Sequence, residues 1–281
     1  MKRSIMVLGQ PDSGKSNYLA RLWESVRGGT GELELIDAPE IKYLEEMLAH
    51  LLQGEFVPRS DKSIEASEHD ITLLVRQKGR NEEVEIVVPD VTGELWRDAV
   101  TNADLPAEWM RRLESSSGAL LFLRAHSEEN HQPLDWVTSR RLLKHTGASQ
   151  TASPIPTQVL YSELLRFLQL KLERGSSDKP KVAVIVSAWD KLDPEQRVST
   201  PISYLQGEFP LLAGRITNIE GLNVQVFGSS VVSGDLQDDP AFKDKFDQGE
   251  LKHFGYIAQS DGSGKSVINC DVTLPVNWLI E

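Results

Sequence analysis

The string Gly9-Gln10-Pro11-Asp12-Ser13-Gly14-Lys15-Ser16 constrains this chain more than any other, because of what stands on each side of it. Ile5 to Leu8 is an uninterrupted apolar run, the pattern of a buried parallel strand. Ser16 to Val26 carries Tyr18, Leu19, Leu22, Trp23 and Val26 at three-and-four spacing, the pattern of a core-facing helix. A Gly-x4-Gly-Lys-Ser string between such a strand and such a helix is a phosphate-binding loop. Its glycines let the backbone curl, so that the N–H groups of Asp12 through Ser16 converge on phosphate oxygens while the helix N-terminus adds partial positive charge. Lys15 then neutralises the β and γ phosphates, and the Ser16 hydroxyl is placed to ligate Mg²⁺. Gly9, Asp12, Ser13, Gly14, Lys15, Ser16 and Asn17 are the candidate binding residues of this segment.

The rest of the chain supplies the sheet that such a loop needs. Ala119 to Leu123 and Val182 to Val186 are further continuous apolar runs, and Val224 to Phe227 reads as another strand. Ile71 to Arg76 and Val84 to Val88 flank a polar stretch and read as an antiparallel hairpin. Helical spacing recurs from Pro39 to Gln53 and from Val159 to Leu172, the second a crossover between strands. The fold class is therefore α/β: a P-loop three-layer sandwich with a mixed, mainly parallel six-stranded sheet and helices on both faces. Residues 1–281 form one domain with a polar insertion at about 127–156, because strands of one sheet lie on either side of that insertion.

Charge and cysteine content narrow the partners. With 42 acidic against 30 basic residues the net charge is −12, which disfavours general attraction to nucleic acid or to an anionic membrane surface. One cysteine excludes an internal disulfide, and the apolar flanks Val267, Ile268 and Val272 make Cys270 a buried filler. The N-terminal apolar run is too short for a signal peptide or membrane span, so a cytoplasmic location is expected.

Three further segments carry chemistry. Pro89-Asp90-Val91-Thr92-Gly93-Glu94 puts a carboxylate at a strand end, where Asp90 can hold the Mg²⁺ shell and the Gly93 N–H can bond a γ-phosphate. Ser187-Ala188-Trp189-Asp190-Lys191 follows a buried strand; Asp190 is placed either to accept guanine's N1–H and exocyclic amine or to cap a helix. Phe227-Gly228-Ser229-Ser230 closes the next strand, where the N–H groups of Ser229 and Ser230 can meet a guanine carbonyl. Asp261-Gly262-Ser263-Gly264-Lys265-Ser266 repeats part of the phosphate-loop string but has Gln259 in place of the first glycine and no apolar strand directly before it, so it reads as a surface turn.

With these segments in this order, the chain resembles a TRAFAC-class, Ras-like GTPase, and within that class the bacterial double-GTPase and GTPase-associated-system proteins found in conflict and phage-defence gene clusters. The narrower likeness rests on Ser187 to Lys191 and on the closing Leu274-Pro275-Val276-Asn277-Trp278-Leu279. The resemblance implies a GTP/GDP switch with Mg²⁺ that signals to a protein effector or partner GTPase. It also implies a switch residue with a hydroxyl for Mg²⁺, for which Ser60 and Ser63 are both available. Two departures matter. Ser187 and Ala188 stand where the class carries Asn and Lys, so the stem that lies over the base is missing, and Trp189 either stacks in compensation or belongs to the core. Glu94 stands where a glutamine orients the attacking water, so slow intrinsic hydrolysis is expected unless a partner supplies an arginine. Lys15, Gly93 and Glu94 are the candidate catalytic residues. A P-loop ATPase and a non-hydrolysing, nucleotide-bound scaffold remain as alternatives.

Overall fold

The computed structural model describes residues 3–39, 41–57, 71–88, 94–102, 105–132, 155–173 and 179–281. Asp90, Gly93, Ser60, Ser63 and most of the expected insertion lie outside the described residues.

The chain runs through β1 (Arg3–Gly9), α1 (Lys15–Arg27), β2 (Leu33–Asp37), α2 (Ile41–Leu52), β3 (Ile71–Gln77), β4 (Glu83–Val88), α3 (Glu94–Asn102), α4 (Ala107–Glu114), β5 (Gly118–Arg124) and α5 (Thr157–Lys171). It continues through β6 (Lys181–Ser187), α6 (Pro194–Arg197), α7 (Pro201–Glu208), α8 (Pro210–Asn218), β7 (Asn223–Ser230), α9 (Pro240–Asp247), β8 (Tyr256–Ser260), β9 (Ser266–Asn269) and α10 (Leu274–Ile280). One sheet contains all the strands in the order β2-β3-β4-β1-β5-β6-β7-β8-β9. The six expected strands are present, joined by four parallel pairings and the β3–β4 antiparallel pair.

Nine strands rather than six make up the sheet. The additional ones, β2, β8 and β9, pair antiparallel at the two edges. They are short and half-exposed, so they lack the continuous apolar run that marks a central strand. The second Ser-Gly-Lys-Ser string is a hairpin turn between β8 and β9: Asp261 Oδ1 accepts from the N–H groups of Ser263 and Lys265 at 2.9 and 2.7 Å. A strand, β8, does run directly into it, contrary to expectation, but it leads to a hairpin and not to a helix. Cys270 is exposed, correcting its reading as core filler. Val267 and Ile268 sit on an edge strand whose apolar side chains are themselves 41% and 60% exposed, so apolar neighbours did not mean burial there.

Alternation along β1 divides the core. Ile5 and Val7 face α1, α2 and α10 through Leu19, Leu22, Trp23, Leu44, Met47, Val276 and Leu279. Met6 and Leu8 face the opposite layer, built on Trp96, Leu160, Leu164, Leu205 and Leu212 from α3, α5, α7 and α8. Three layers result, and they leave the carboxyl ends of β1, β5, β6 and β7 together at one edge, where open α/β sheets bind ligands. Among the described residues, no helix is long and apolar enough to cross a membrane.

Candidate functional site

At the carboxyl end of β1 the backbone turns sharply, with Gly9, Asp12 and Gly14 at φ of +152°, +57° and +88°. Two of these positions leave no room for a side chain. A Cβ on Gly9 would stand 2.7 Å from the Phe122 carbonyl oxygen, and one on Gly14 would stand 2.8 Å from the Ser187 hydroxyl. Gly14 also forms the N-cap of α1, with no side-chain cap bond and no acidic residue in the first turn, so the helix end is open to an anion. The Ser13 N–H departs from the expected convergence, since it turns inward to the Gln10 carbonyl at 3.3 Å.

Lys15 closes the loop on itself. Its Nζ donates to the carbonyls of Gly9 and Gln10, both at 2.8 Å, and to the Ser13 hydroxyl at 3.2 Å. Burial pushes its pKa down to about 8, while the Asp12 carboxylate pulls the other way. Phosphate oxygens would take over these carbonyl contacts and restore the charge. Asp12, a carboxylate in an anion-binding loop, is paired with Arg124 Nη1 at 2.6 Å. Ser16 lies in the first turn of α1. Asn17 faces the cleft, yet its Oδ1 also accepts the Val57 N–H at 2.9 Å, fastening the segment that leads toward Ser60. Glu94 is the first residue of α3.

The segment carrying Asp190 leaves β6 at Ser187, passes Ala188 in the left-handed region at φ +55°, and turns through a single 3-10 turn, Trp189–Lys191. Asp190 lines the same cleft as Asp12 and Gly14. Burial raises its carboxyl above the usual range, moderated by the Ser230 hydroxyl and by Lys191. Lys191 Nζ reaches Asp235 Oδ2 at 2.7 Å and so ties this turn to the loop after β7. The cleft between phosphate loop and turn measures about 290 Å³, near the lower end for small-molecule sites.

Ser229 and Ser230 do not line that cleft. They are buried in β7, where the antiparallel pairing with Ile257 and Tyr256 of β8 continues the strand through them. Val231, Val232 and Gln237, just beyond, face the cleft instead. The Ser230 hydroxyl instead favours the ionised form of Asp190. Trp189 does not stack over the cleft: it is fully buried, packed on Gly228 and edge-on to Tyr204 at 5.5 Å.

Two contributors, Tyr161 and Arg124, escaped the sequence reading, as did the bond made by Ser187. The Ser187 hydroxyl donates to the Ser13 carbonyl at 2.7 Å, binding the turn to the loop. Tyr161 of α5 donates to the Phe122 carbonyl at 2.5 Å and accepts from the Gln10 N–H at 3.4 Å, which fixes the entry to the loop. Arg124 ends the apolar strand β5 inside the cleft. Only Arg124 carried a sequence signal, a charge closing an otherwise apolar run.

The family model described as Double-GTPase 1 matches residues 6–279. No curated protein matches the chain. Among solved structures, the GTPase-like domain of S. cerevisiae Ski7 bound to GTP aligns with 82% of this chain and 43% of its own at 12% identity, with a TM-score of 0.42. The signal recognition particle receptor SRb-GTP/SRX complex from Chaetomium thermophilum aligns with 88% and 96% at 12% identity and a TM-score of 0.39. Aquifex aeolicus Era bound to GDP and aluminium fluoride aligns with 80% and 52% at 15% identity and a TM-score of 0.31. This chain thus spans less than half the length of the Ski7 chain and about half that of Era.

Proposed function

The chain belongs to the Double-GTPase 1 family, and from that premise we propose that it is a GTP/GDP switch whose intrinsic hydrolysis is slow. One observation carries this reading: Asp190 and the phosphate loop residues Asp12 and Gly14 line a single cleft, so one nucleotide can meet both. The phosphates lie on Gly9 to Ser16, with Lys15 moving from its carbonyl contacts onto them. The Asp190 carboxylate accepts the two donors on one edge of guanine, a pattern that adenine does not present.

The donors present suit a hard cation. The Ser16 hydroxyl, in the first turn of α1 beside the loop, is one oxygen ligand for Mg²⁺, and phosphate oxygens and water supply others. Asp90 and a hydroxyl from Ser60 complete that set in this proposal. When bound, Mg²⁺ neutralises charge developing between the β and γ phosphates. Gly93 reports the presence of the γ-phosphate, and Glu94 beside it opposes the approach of a hydroxide-like water. A slow switch of this kind acts through a protein effector or a partner GTPase that supplies the missing positive charge. In keeping with the resemblance, we place it in a bacterial conflict or defence system.

Nucleotide extracted from freshly purified protein and separated by chromatography tests the first part, with GDP or GTP expected; adenine nucleotide would overturn it. Single-turnover phosphate release tests the second. Glu94→Gln should raise the rate or leave it unchanged, since the amide orients water without the repulsion. A fall of more than about tenfold, roughly 1.4 kcal/mol of barrier, would make Glu94 an aid to hydrolysis and the chain a self-sufficient GTPase.

A further inference from the structure

Neither residue that precedes Asp190 can lie over a base held by its carboxylate. Ala188 ends at Cβ, and Trp189 is buried against Gly228 and Tyr204. The neighbouring strand supplies a long side chain at the same level. Arg124, the last residue of β5, is paired in register with Ser187 and lines the cleft with Ala188 and Asp190. Its backbone is fixed on both sides: its carbonyl accepts from Asn130 Nδ2 at 2.9 Å, and the N–H of Ala125 donates to the Ser187 carbonyl at 3.0 Å. Its guanidinium reaches Asp12 Oδ1 at 2.6 Å, drawn across the cleft between the turn and the phosphate loop.

Stability alone does not account for this pair. The two side chains are 31% and 28% exposed, and an ion pair with that access to solvent contributes little to folding. An arginine in this position has two other uses. It neutralises a carboxylate that would otherwise repel phosphate, and its flat cationic face can lie on a π-system.

We propose that Arg124 is the residue that covers the purine: anchored by Asp12, it lies on the face of the base whose edge is bound by Asp190, replacing from β5 the stem that Ala188 lacks on β6. This inference rests on the reading of Asp190 as the base acceptor. It identifies the ligand group as the aromatic face of the nucleotide and not its phosphates.

The test compares GDP with inorganic tripolyphosphate, which has no base, by calorimetric titration of the full chain. It is run in an Asp12→Asn background, where the amide oxygen still accepts from the Arg124 guanidinium but loss of that cation exposes no carboxylate to the phosphates. Adding Arg124→Ala should weaken GDP about tenfold and leave tripolyphosphate within about twofold, a margin small against that loss. Ala188→Lys, added to that pair, should restore most of the GDP affinity by returning a stem to β6. Thermal melts verify folding, and Arg124→Gln serves in place of Arg124→Ala should the latter not fold. Unchanged GDP affinity, or an equal loss for GDP and tripolyphosphate, would overturn the proposal. A parent chain that binds GDP no better than ADP would instead remove the reading of Asp190, a result visible before any change at Arg124.

Discussion

The hydroxyl of Ser187, at the end of β6, donates to the carbonyl of Ser13 inside the phosphate loop at 2.7 Å. The turn that carries Asp190 and the phosphate loop are therefore joined by a direct bond as well as through the sheet. Gly14 packs against the same hydroxyl closely enough to exclude a Cβ. Ser187→Ala removes the donor while leaving the Cβ in place, and should lower stability by about 1 kcal/mol. A loosened loop also releases ligand sooner, so GDP dissociation followed by stopped-flow fluorescence should accelerate several-fold, about the factor that 1 kcal/mol represents. An unchanged dissociation rate would show that this bond supports the fold alone.

Lys15 makes the site sensitive to alkali. With its folded pKa near 8 against an ordinary 10.5, the unfolded chain binds more protons than the ligand-free folded chain between those values. Stability of the ligand-free protein should therefore rise with pH across that window, by at most about 1.4 kcal/mol per unit from this group. Below pH 8 Lys15 is charged in both states and the rise vanishes. Nucleotide affinity should move the other way, falling above pH 8 as binding has to recover the proton. Lys15→Ala should remove both trends and abolish nucleotide binding, whereas Lys265→Ala, in the β8–β9 turn, should leave binding intact. Denaturant melts at a series of pH values, with titration of a fluorescent GDP analogue, measure all four outcomes.

The parts legible in the sequence were those where one short segment decides the structure. Ile5 to Leu8, Ala119 to Leu123 and Val182 to Val186 are apolar throughout because both faces of a central strand are covered, and each proved to be one. The phosphate loop was legible because its glycines are needed by the loop's own curvature. The short strands β8 and β9 at one end of the sheet were not, since a partly exposed strand of four or five residues has the composition of a loop. Site residues defined by distant contacts were equally hidden. Nothing near Tyr161 indicates that its hydroxyl lies beside Gln10, because only the packing of α5 on the sheet brings them together. Ser229 and Ser230 show the converse: their place after a strand suggested ligand contact, but pairing with β8 carries the strand through them and moves the cleft lining to Val231 and Val232.

Asp190→Asn should exchange guanine for xanthine preference. The amide can donate to the xanthine 2-oxo group where the carboxylate accepted from the guanine amine. Leaving the guanine donors unpaired in a desolvated cleft costs about 1–3 kcal/mol, so GTP affinity should fall roughly ten- to a hundredfold. Because burial holds the Asp190 carboxyl above its usual range, GTP binding by the parent should weaken on acidification before an exposed carboxylate would titrate. That acid limb should be missing from XTP binding by the variant. Competition titrations with GTP, XTP and ATP decide the matter: an unchanged GTP/XTP ratio would show that Asp190 does not read the base.

Gly228 on β7 lies directly under Trp189, and a Cβ there would stand 2.7 Å from Cε3 and 2.8 Å from Cε2 of the indole. The ring cannot yield easily. It is fully buried, edge-on to Tyr204, and its Nε1 has no hydrogen-bond partner among the described residues to draw it elsewhere. Gly228→Ala should therefore overpack the site and lower stability by about 1–3 kcal/mol. Trp189 stands between Ala188 and Asp190, so its displacement also moves the Asp190 carboxylate, and discrimination of GTP over ATP should fall along with stability. Gly214, inside α8, supplies the contrast: a Cβ there meets nothing within 4 Å, and Gly214→Ala should stabilise the protein by about 0.4–1 kcal/mol without touching selectivity. Thermal melts and competition binding on the two variants separate the effects. A Gly228→Ala protein that is destabilised yet keeps full guanine preference would show that the turn holds Asp190 in place independently of the tryptophan beneath it.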